Sequence, residues 1–272
     1  MITMSSKYVS KAGATIFYET QGTGEPLILI HSGVADMRLW NPQMDAFTQE
    51  FQVIRYDARG YGQSELIPGD FHHLDDLIDL MEHLNLKSGH LLGLSMGGET
   101  AIDLALRHPE RVRSLTLVGS GLGGWEFKDP FTMENLQKME KAFEEGDILS
   151  AKEAYLSIWL AGPNRSLEDV DEELRNIAFE MLPQFRENPS GRAMPVEPLA
   201  ISRLSEIKAP TIVIVGDGDT LELVEIADLL ASEIPNASKH VMIGVAHYPN
   251  MENPDEFNRI VIGFLKQVTQ LP

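Results

Sequence analysis

The 272-residue sequence contains no cysteine. Disulfide frameworks, thiolate nucleophiles and cysteine metal sites are therefore excluded. Long apolar runs are also missing, since no stretch approaches the ~20 residues that a helix needs to cross a bilayer. The first residues, MITMSSKYVS, lack the charged start and apolar stretch of a secretory signal. Together these absences predict a soluble, cytoplasmic protein.

Positive charge is scarce. The chain has 22 Lys and Arg against 41 Asp and Glu, a formal net charge of -19. Nucleic acid and anionic membranes would be repelled by this field, so neither is an expected partner. The predicted partner is a small-molecule substrate, and the sequence leaves a homo-oligomer open.

Short apolar runs, rich in β-branched residues, recur along the chain and are continuous rather than alternating. This pattern is typical of parallel strands buried on both faces. After a predicted hairpin over 7–20, the predicted strands are 27–31, 52–57, 90–94, 114–119, 211–216 and 239–244.

Amphipathic segments lie between these runs, at 73–84, 99–108, 221–234 and 255–268. Strands that alternate with helices in this way form crossover units. The sequence therefore predicts an α/β fold with an eight-stranded, mostly parallel sheet.

The alternation stops between residues 121 and 197, where only helical patterns occur, broken by proline and glycine. We interpret 121–197 as a helical cap inserted into a core made of 1–120 and 198–272.

A single serine, Ser95, stands between glycines in the stretch HLLGLSMGGET. A strand that turns at once into a helix forces the turn residue into a strained conformation, and side chains beside it would collide. Gly93 and Gly97 relieve that crowding. The pattern Gly-x-Ser-x-Gly is the nucleophile elbow, which holds a hydroxyl at the carboxyl edge of a sheet.

A competing interpretation is the dinucleotide-binding loop Gly-x-Gly-x-x-Gly, which Gly93, Ser95 and Gly98 almost match. Ser95 stands where the second glycine must admit a pyrophosphate, which disfavours this interpretation. An NAD-dependent oxidoreductase is accordingly a distant alternative.

A serine nucleophile needs a base to take its proton and a carboxylate to orient that base. His247 follows the last predicted strand, and Asp219 lies just past the end of the strand TIVIVG. The order Ser95, Asp219, His247 is the order that the elbow requires.

The chain resembles the α/β-hydrolase superfamily, of the kind with a helical cap, over nearly its whole length outside the cap. The segment 31–44 is similar to that of 3-oxoadipate enol-lactonases and related small esterases. The motifs that carry the resemblance are IHSG (30–33), YDARGYGQS (56–64), GLSMGG (93–98), HPERVRSLTLVGS (108–120), GDGD (216–219) and GVAHYPNMENPDEF (244–257).

This resemblance implies roles for five residues. Ser95 is the nucleophile, His247 the general base and then acid, and Asp219 its orienting carboxylate. The backbone N–H groups of Met96 and Gly33 form the oxyanion hole, and no cofactor is required. Two positions depart from the usual pattern: Ser32 stands in place of a glycine, and Leu94 in place of a histidine.

Other polar residues have structural interpretations. We expect His31 to bond nearby loops, and Asp57 and Arg59 to brace the loop after their strand. The stretch HHLDD (72–76) begins an amphipathic helix, where acidic residues offset the dipole, so no metal site is predicted there. In the cap, Trp125 and Trp159 are candidates for lining a substrate pocket or for the cap's own core.

The function predicted first is a serine hydrolase that cleaves a carboxylic ester or lactone through an acyl-enzyme. Within the resemblance, carbon–carbon bond hydrolases and cofactor-free haloperoxidase-like enzymes share these motifs, and they stay as alternatives. A non-catalytic ligand-binding protein on the same fold is an alternative of another class.

Overall fold

The computed structural model describes residues 4–33, 35–182 and 191–270. The described chain folds as a sheet covered on both faces by helices. Its strands are β1 Met4–Val9, β2 Thr15–Gln21, β3 Glu25–Ile30, β4 Phe51–Tyr56, β5 Gly69–Phe71, β6 Gly89–Leu94, β7 Val112–Val118, β8 Gly191–Ala193, β9 Thr211–Gly216 and β10 Ala237–Met242.

Eight of these strands form one sheet in the described chain, in the order β1-β2-β4-β3-β6-β7-β9-β10. The β1–β2 and β2–β4 pairs are antiparallel, and every pair from β4 to β10 is parallel. The predicted eight-stranded, mostly parallel sheet is confirmed. Because parallel strands point the same way, the loops after β3, β6, β7, β9 and β10 leave the sheet at one edge.

Helices cover both faces because the buried strands are apolar on both sides. Along β3, Ile28 and Ile30 face one hydrophobic layer and Leu27 and Leu29 the other. The helices are α1 Asn41–Phe47, α2 His73–His83, α3 Met96–Arg107, α4 Pro130–Glu144, α5 Ile148–Leu156, α6 Glu172–Met181, α7 Leu221–Glu233, α8 Pro249–Glu252 and α9 Pro254–Thr269. Two hydrophobic layers enclose the sheet. One lies under α2, α3 and α7, and the other lies under α1 and α9.

Helices α4, α5 and α6 lie between β7 and β9, where the sequence predicts a cap. A π-helical turn, Ser157–Ala161, continues α5. The division into a core of 1–120 and 198–272 and a cap of 121–197 stays a prediction, and residues 183–190 of that cap lie outside the described residues.

The expectation that the cap region holds only helices is wrong. Strand β8 pairs in parallel with β5, with Asp70 opposite Arg192. Both strands have three residues and neither has an apolar pattern, so their pairing depends on a contact across about half of the chain. Periodicity therefore could not detect it.

Within residues 4–33, 35–182 and 191–270, no helix is both long enough and apolar enough to span a membrane. The predicted cytoplasmic location stays a prediction.

Candidate active site

Ser95 lies at the sharp turn between β6 and α3. All six residues of β6 are buried, and α3 begins at Met96, directly after the serine. Ser95 has φ 56° and ψ -115°, a left-handed conformation that non-glycine residues rarely adopt. A Cβ at Gly93 would overlap the carbonyl of Gly97, and one at Gly97 would overlap that of Ile30. The glycines around Ser95 are therefore required by steric contact, as the sequence predicts.

Asp219 and His247 form a buried hydrogen-bonded pair. Asp219 follows β9 and is 4% exposed, while His247 follows β10 and is 0% exposed. His247 Nδ1 lies 3.0 Å from Asp219 Oδ2, and the N–H of Thr220 donates to Asp219 Oδ1 at 2.8 Å. Because an ionised carboxylate only accepts hydrogen bonds, Nδ1 carries the imidazole proton. His247 Nε2 is buried and no described residue hydrogen-bonds it.

The end of β7 joins the serine to this pair. The N–H of Ser95 donates to the carbonyl of Val118 at 2.9 Å, and the N–H of Gly121 donates to the carbonyl of Ser95 at 3.0 Å. Gly119, with φ 42°, lies between them, and a Cβ there would come within 2.9 Å of His247 Nδ1 and 3.1 Å of Asp219 Oδ2. The three predicted residues thus surround one short segment, and Gly119 is a requirement that the sequence did not reveal.

Gly33 and Met96 lie side by side next to the serine. A Cβ built on Gly33 would lie 3.7 Å from Met96 Cβ and 3.5 Å from the Tyr61 hydroxyl. Met96 is the first residue of α3, so its N–H has no acceptor within the helix and lies at the positive end of the helix dipole. The N–H of Met96 therefore lies where a helix N-terminus favours an anion, and its pairing with the N–H of Gly33 as an oxyanion hole stays a prediction.

The segment before Gly33 is held by hydrogen bonds. His31 Nδ1 lies 2.7 Å from the Ser32 carbonyl, and the N–H of Ala58 donates to His31 Nε2 at 2.9 Å. Burial lowers the pKa of His31. Ser32 is fully buried and its side chain hydrogen-bonds Tyr248. His31 therefore bonds neighbouring loops, as predicted, and the loop accommodates serine in place of glycine.

Asp57 and Arg59 also have the bracing contacts that the sequence predicts. Asp57 accepts hydrogen bonds from the N–H groups of Met37 and Gln63, at 2.9 and 2.8 Å. Arg59 forms a buried ion pair with Asp76 of α2. The acidic residues of HHLDD are therefore not only helix-dipole partners, because Asp76 also ties α2 to the loop after β4.

The two cap tryptophans have different surroundings. Trp159, in the π-helical turn, lies with its ring centroid 5.2 Å from that of His247. Both tryptophans pack against the hydrophobic layer that contains α2, α3 and α7, and Trp159 also packs against the layer under α1 and α9. The Nε1 atom of each is buried with no described partner. The contact with His247 favours Trp159 over Trp125 as a pocket residue, although both assignments stay predictions.

Two carboxylates that the sequence analysis did not single out lie along α3, beyond the serine. Burial raises the pKa of Glu99, and burial together with the charge of Glu99 raises the pKa of Asp103 to about 7. A signal was available: ETAIDLALR places two acids four residues apart in an otherwise apolar helix. Spacing of four residues puts both side chains on one helix face.

Comparisons with known proteins agree with this fold. A family model described as alpha/beta hydrolase fold matches residues 25–254. A 2-hydroxy-6-oxononadienedioate/2-hydroxy-6-oxononatrienedioate hydrolase of Burkholderia vietnamiensis (strain G4 / LMG 22486) is 29% identical, covering 97% of this chain and 96% of its own length. 3-Oxoadipate enol-lactonase 1 of Acinetobacter baylyi (strain ATCC 33305 / BD413 / ADP1) is 25% identical, covering 95% and 96%.

A solved structure is similar over the same extent. The thermophilic esterase of Thermogutta terrifontis, with malate bound, superposes with a TM-score of 0.81 and 26% identity, covering 97% of this chain and 99% of its own.

Proposed function

The chain belongs to the alpha/beta hydrolase fold family, and on that basis we propose that it is a serine hydrolase that cleaves a carboxylic ester or lactone through an acyl-enzyme. Ser95 is the nucleophile, His247 is the general base and then acid, and Asp219 orients the imidazole. The substrate is a small, partly apolar molecule.

The observation that carries this proposal is the buried Asp219–His247 pair. Its 3.0 Å hydrogen bond occupies Nδ1 and leaves Nε2 as the basic nitrogen of the ring. Nε2 has no described partner, and the pair contacts the β7 segment that also binds the backbone of Ser95. A base of fixed tautomer beside an elbow serine is the arrangement that activates a hydroxyl.

Acylation follows from these positions. Ser95 Oγ attacks the carbonyl carbon while His247 Nε2 takes the hydroxyl proton, and the Asp219 carboxylate stabilises the imidazolium. The N–H groups of Met96 and Gly33 hold the oxyanion, and each such donor contributes roughly 3 kcal/mol of transition-state stabilisation. The carbon–oxygen bond then breaks and the imidazolium protonates the leaving oxygen.

Deacylation repeats these steps with water. His247 takes a proton from water, the hydroxide attacks the acyl carbon, and Ser95 leaves with that proton. A lactone gives one product, a hydroxy acid, since its acyl and alcohol parts are joined. All electron pairs and protons move among Ser95, His247, water and substrate, so the scheme needs no cofactor.

An active-site probe tests the proposal directly. Incubation with a fluorophosphonate should label Ser95, identified by mass spectrometry, and p-nitrophenyl acetate should be turned over. Ser95→Ala should lower kcat by a factor on the order of 10⁶ and abolish labelling, with folding retained. The matched control is Ser232→Ala, an exposed serine at the end of α7, which should leave both unchanged. Labelling elsewhere, or turnover by Ser95→Ala, would contradict the assignment.

A carbon–carbon bond hydrolase is the second candidate, favoured by the full-length similarity to the Burkholderia vietnamiensis enzyme. In that reaction the leaving group is a carbon that needs a proton, which the His247 imidazolium can deliver. A spectrophotometric assay with a 2-hydroxy-6-oxohexa-2,4-dienoate distinguishes the two. A kcat/KM on this dienoate above that of every ester and lactone in a matched panel would favour the second candidate.

A further inference from the structure

A cavity of about 320 Å³ begins beside the proposed oxyanion site and extends along α3. Met96 and Tyr61 line it, and both also approach Gly33. Its far wall is the segment 193–196, which begins at the last residue of β8. A substrate whose carbonyl lies at Gly33 and Met96 therefore has room to extend a substituent along α3.

Glu99 and Asp103 line this cavity, and neither carboxylate forms an ion pair with a described residue. Asp103 is only 8% exposed, yet no described residue hydrogen-bonds its carboxylate or lies within ion-pair distance. Arg107 and Arg203 lower the pKa of Asp103 through their charge, without a hydrogen bond to it. Arg203 forms its ion pair, at 2.7 Å, with Glu206 instead. Glu99 likewise has no hydrogen-bonding partner among the described residues.

Carboxylates without partners are unusual where water is largely excluded, as at the buried Asp103 and the half-buried Glu99, because a desolvated charge is costly unless it is paired. The cost is visible in the raised pKa values of Glu99 and Asp103. His73, which also lines the cavity, is not the missing cation, because burial lowers its pKa to about 4. Its Nδ1 is itself buried without a partner. The described residues contain no cluster of three metal-ligating side chains either.

We infer that this cavity is a subsite for a cationic group of the substrate, such as an alkylammonium, and that Glu99 and Asp103 bind it. The inference rests on the proposed serine hydrolase function and deepens it by naming a substrate class. Along the helix axis, Glu99 and Asp103 lie about 6 and 12 Å beyond Ser95. The cation is therefore separated from the scissile carbonyl by a chain of several atoms.

Three isosteric esters test the inference. Their acyl groups are 6-(trimethylammonio)hexanoyl, its neutral counterpart 7,7-dimethyloctanoyl, and the carboxylate-bearing heptanedioyl monoester, all with p-nitrophenol. The same three end groups are placed on the alcohol side of acetate esters. We expect kcat/KM to be about tenfold higher for the cation than for the neutral isostere on one side of the ester, since a desolvated pair is gained, and lowest for the carboxylate.

Two isosteric variants locate the effect. Asp103→Asn and Glu99→Gln should each reduce the preference for the cation, and the double variant should abolish it while the neutral ester keeps its kcat/KM within about threefold. Glu233→Gln, an exposed change at the end of α7, removes the same charge from the net -19 without touching the cavity. Glu233→Gln should keep the full preference for the cation. This result would distinguish binding at the subsite from attraction by the protein's net negative charge.

The possible results are distinguishable. Turnover of the neutral ester with no preference for the cation on either side, or a preference unchanged in the double variant, overturns the subsite and leaves the hydrolase function intact. Failure of the wild type to cleave any of the six esters overturns the function itself. A preference lost equally in Glu233→Gln also overturns the subsite, because it assigns the effect to net charge.

Discussion

Asp217 and Asp219 lie two residues apart in one loop, yet their contacts differ completely. Asp219 Oδ2 hydrogen-bonds His247, whereas Asp217 Oδ1 accepts a hydrogen bond from the N–H of Gly244 at 2.7 Å. Asp219 therefore contacts the proposed base, and Asp217 stabilises the turn after β10. Residue type alone does not separate these roles, so the partner of each side chain defines its contribution.

The two isosteric variants should accordingly behave differently. Asp219→Asn should favour the wrong imidazole tautomer and leave the imidazolium unsupported, lowering kcat on the order of 10⁴-fold. Asp217→Asn should reduce activity far less. It should mainly lower the melting temperature, because the hydrogen bond that Asp217 accepts from Gly244 is weakened. Steady-state kinetics on p-nitrophenyl acetate with thermal unfolding checks both. A reversal, with Asp217→Asn nearly inactive, would show that the orienting carboxylate is misassigned.

The turn from β6 to α3 needs glycine on both sides of Ser95 because backbone atoms occupy the space of a Cβ. At Gly97 the obstacle is the carbonyl of Ile30, on the neighbouring strand β3. Backbone cannot move aside as a flexible side chain can. The elbow is thus a property of two packed elements and not of the motif alone.

Gly97→Ala should therefore destabilise the fold by about 3 kcal/mol and remove activity, since α3 must shift away from β3. Gly263→Ala in α9 is the matched control, because a Cβ there meets nothing within 4 Å. It should stabilise by up to about 1 kcal/mol, as alanine favours the helix. Urea unfolding and kcat measure both effects, and an active, stable Gly97→Ala would refute the steric account.

The π-helical turn after α5 places Trp159 against His247, while Phe179 of α6 stacks under Lys152, 4.4 Å from its ring centre. Trp159→Ala should alter relative kcat/KM among acyl chains by about 1–3 kcal/mol. Phe179→Ala, the aromatic control on the same cap, should leave these ratios unchanged. If Trp159→Ala instead lowered kcat/KM equally for all acyl chains and also lowered the melting temperature, Trp159 would have a packing role.

The whole molecule is a sheet between two hydrophobic layers. One buried acid, Asp103, contributes to the pH dependence of its stability. Asp103 has its pKa raised from 3.8 to about 7, by burial first and then by the charge of Glu99. The folded chain therefore keeps a proton that the unfolded chain releases. Folding loses stability as pH rises through this window, because the folded state binds more protons there.

Asp103→Asn removes this titration. The variant should match the wild type near pH 4 and exceed its unfolding free energy at pH 8 by on the order of 1–3 kcal/mol. Chemical denaturation at the two pH values measures the difference. If the unfolding free energies of the variant and the wild type differed equally at pH 4 and pH 8, the raised pKa would not belong to Asp103. An effect of packing alone does not depend on pH.

Much of this protein follows from local sequence. The β-branched runs and amphipathic segments predicted the large sheet and the helices α2, α3, α7 and α9 to within a few residues, because periodicity reflects which faces are buried. The elbow at Ser95 was predictable for a similar reason: crowding between a strand and the next helix is a local steric effect. The order of Ser95, Asp219 and His247 was also predictable, because each residue follows a predicted strand and the strands belong to one sheet.

Tertiary structure alone decided the rest, because those features depend on residues distant in sequence. The β5–β8 pairing joins residues more than a hundred positions apart. The need for glycine at 119 arises from side chains that arrive from β9 and β10. The raised pKa of Asp103 arises mainly from burial, and burial is a property of the folded molecule.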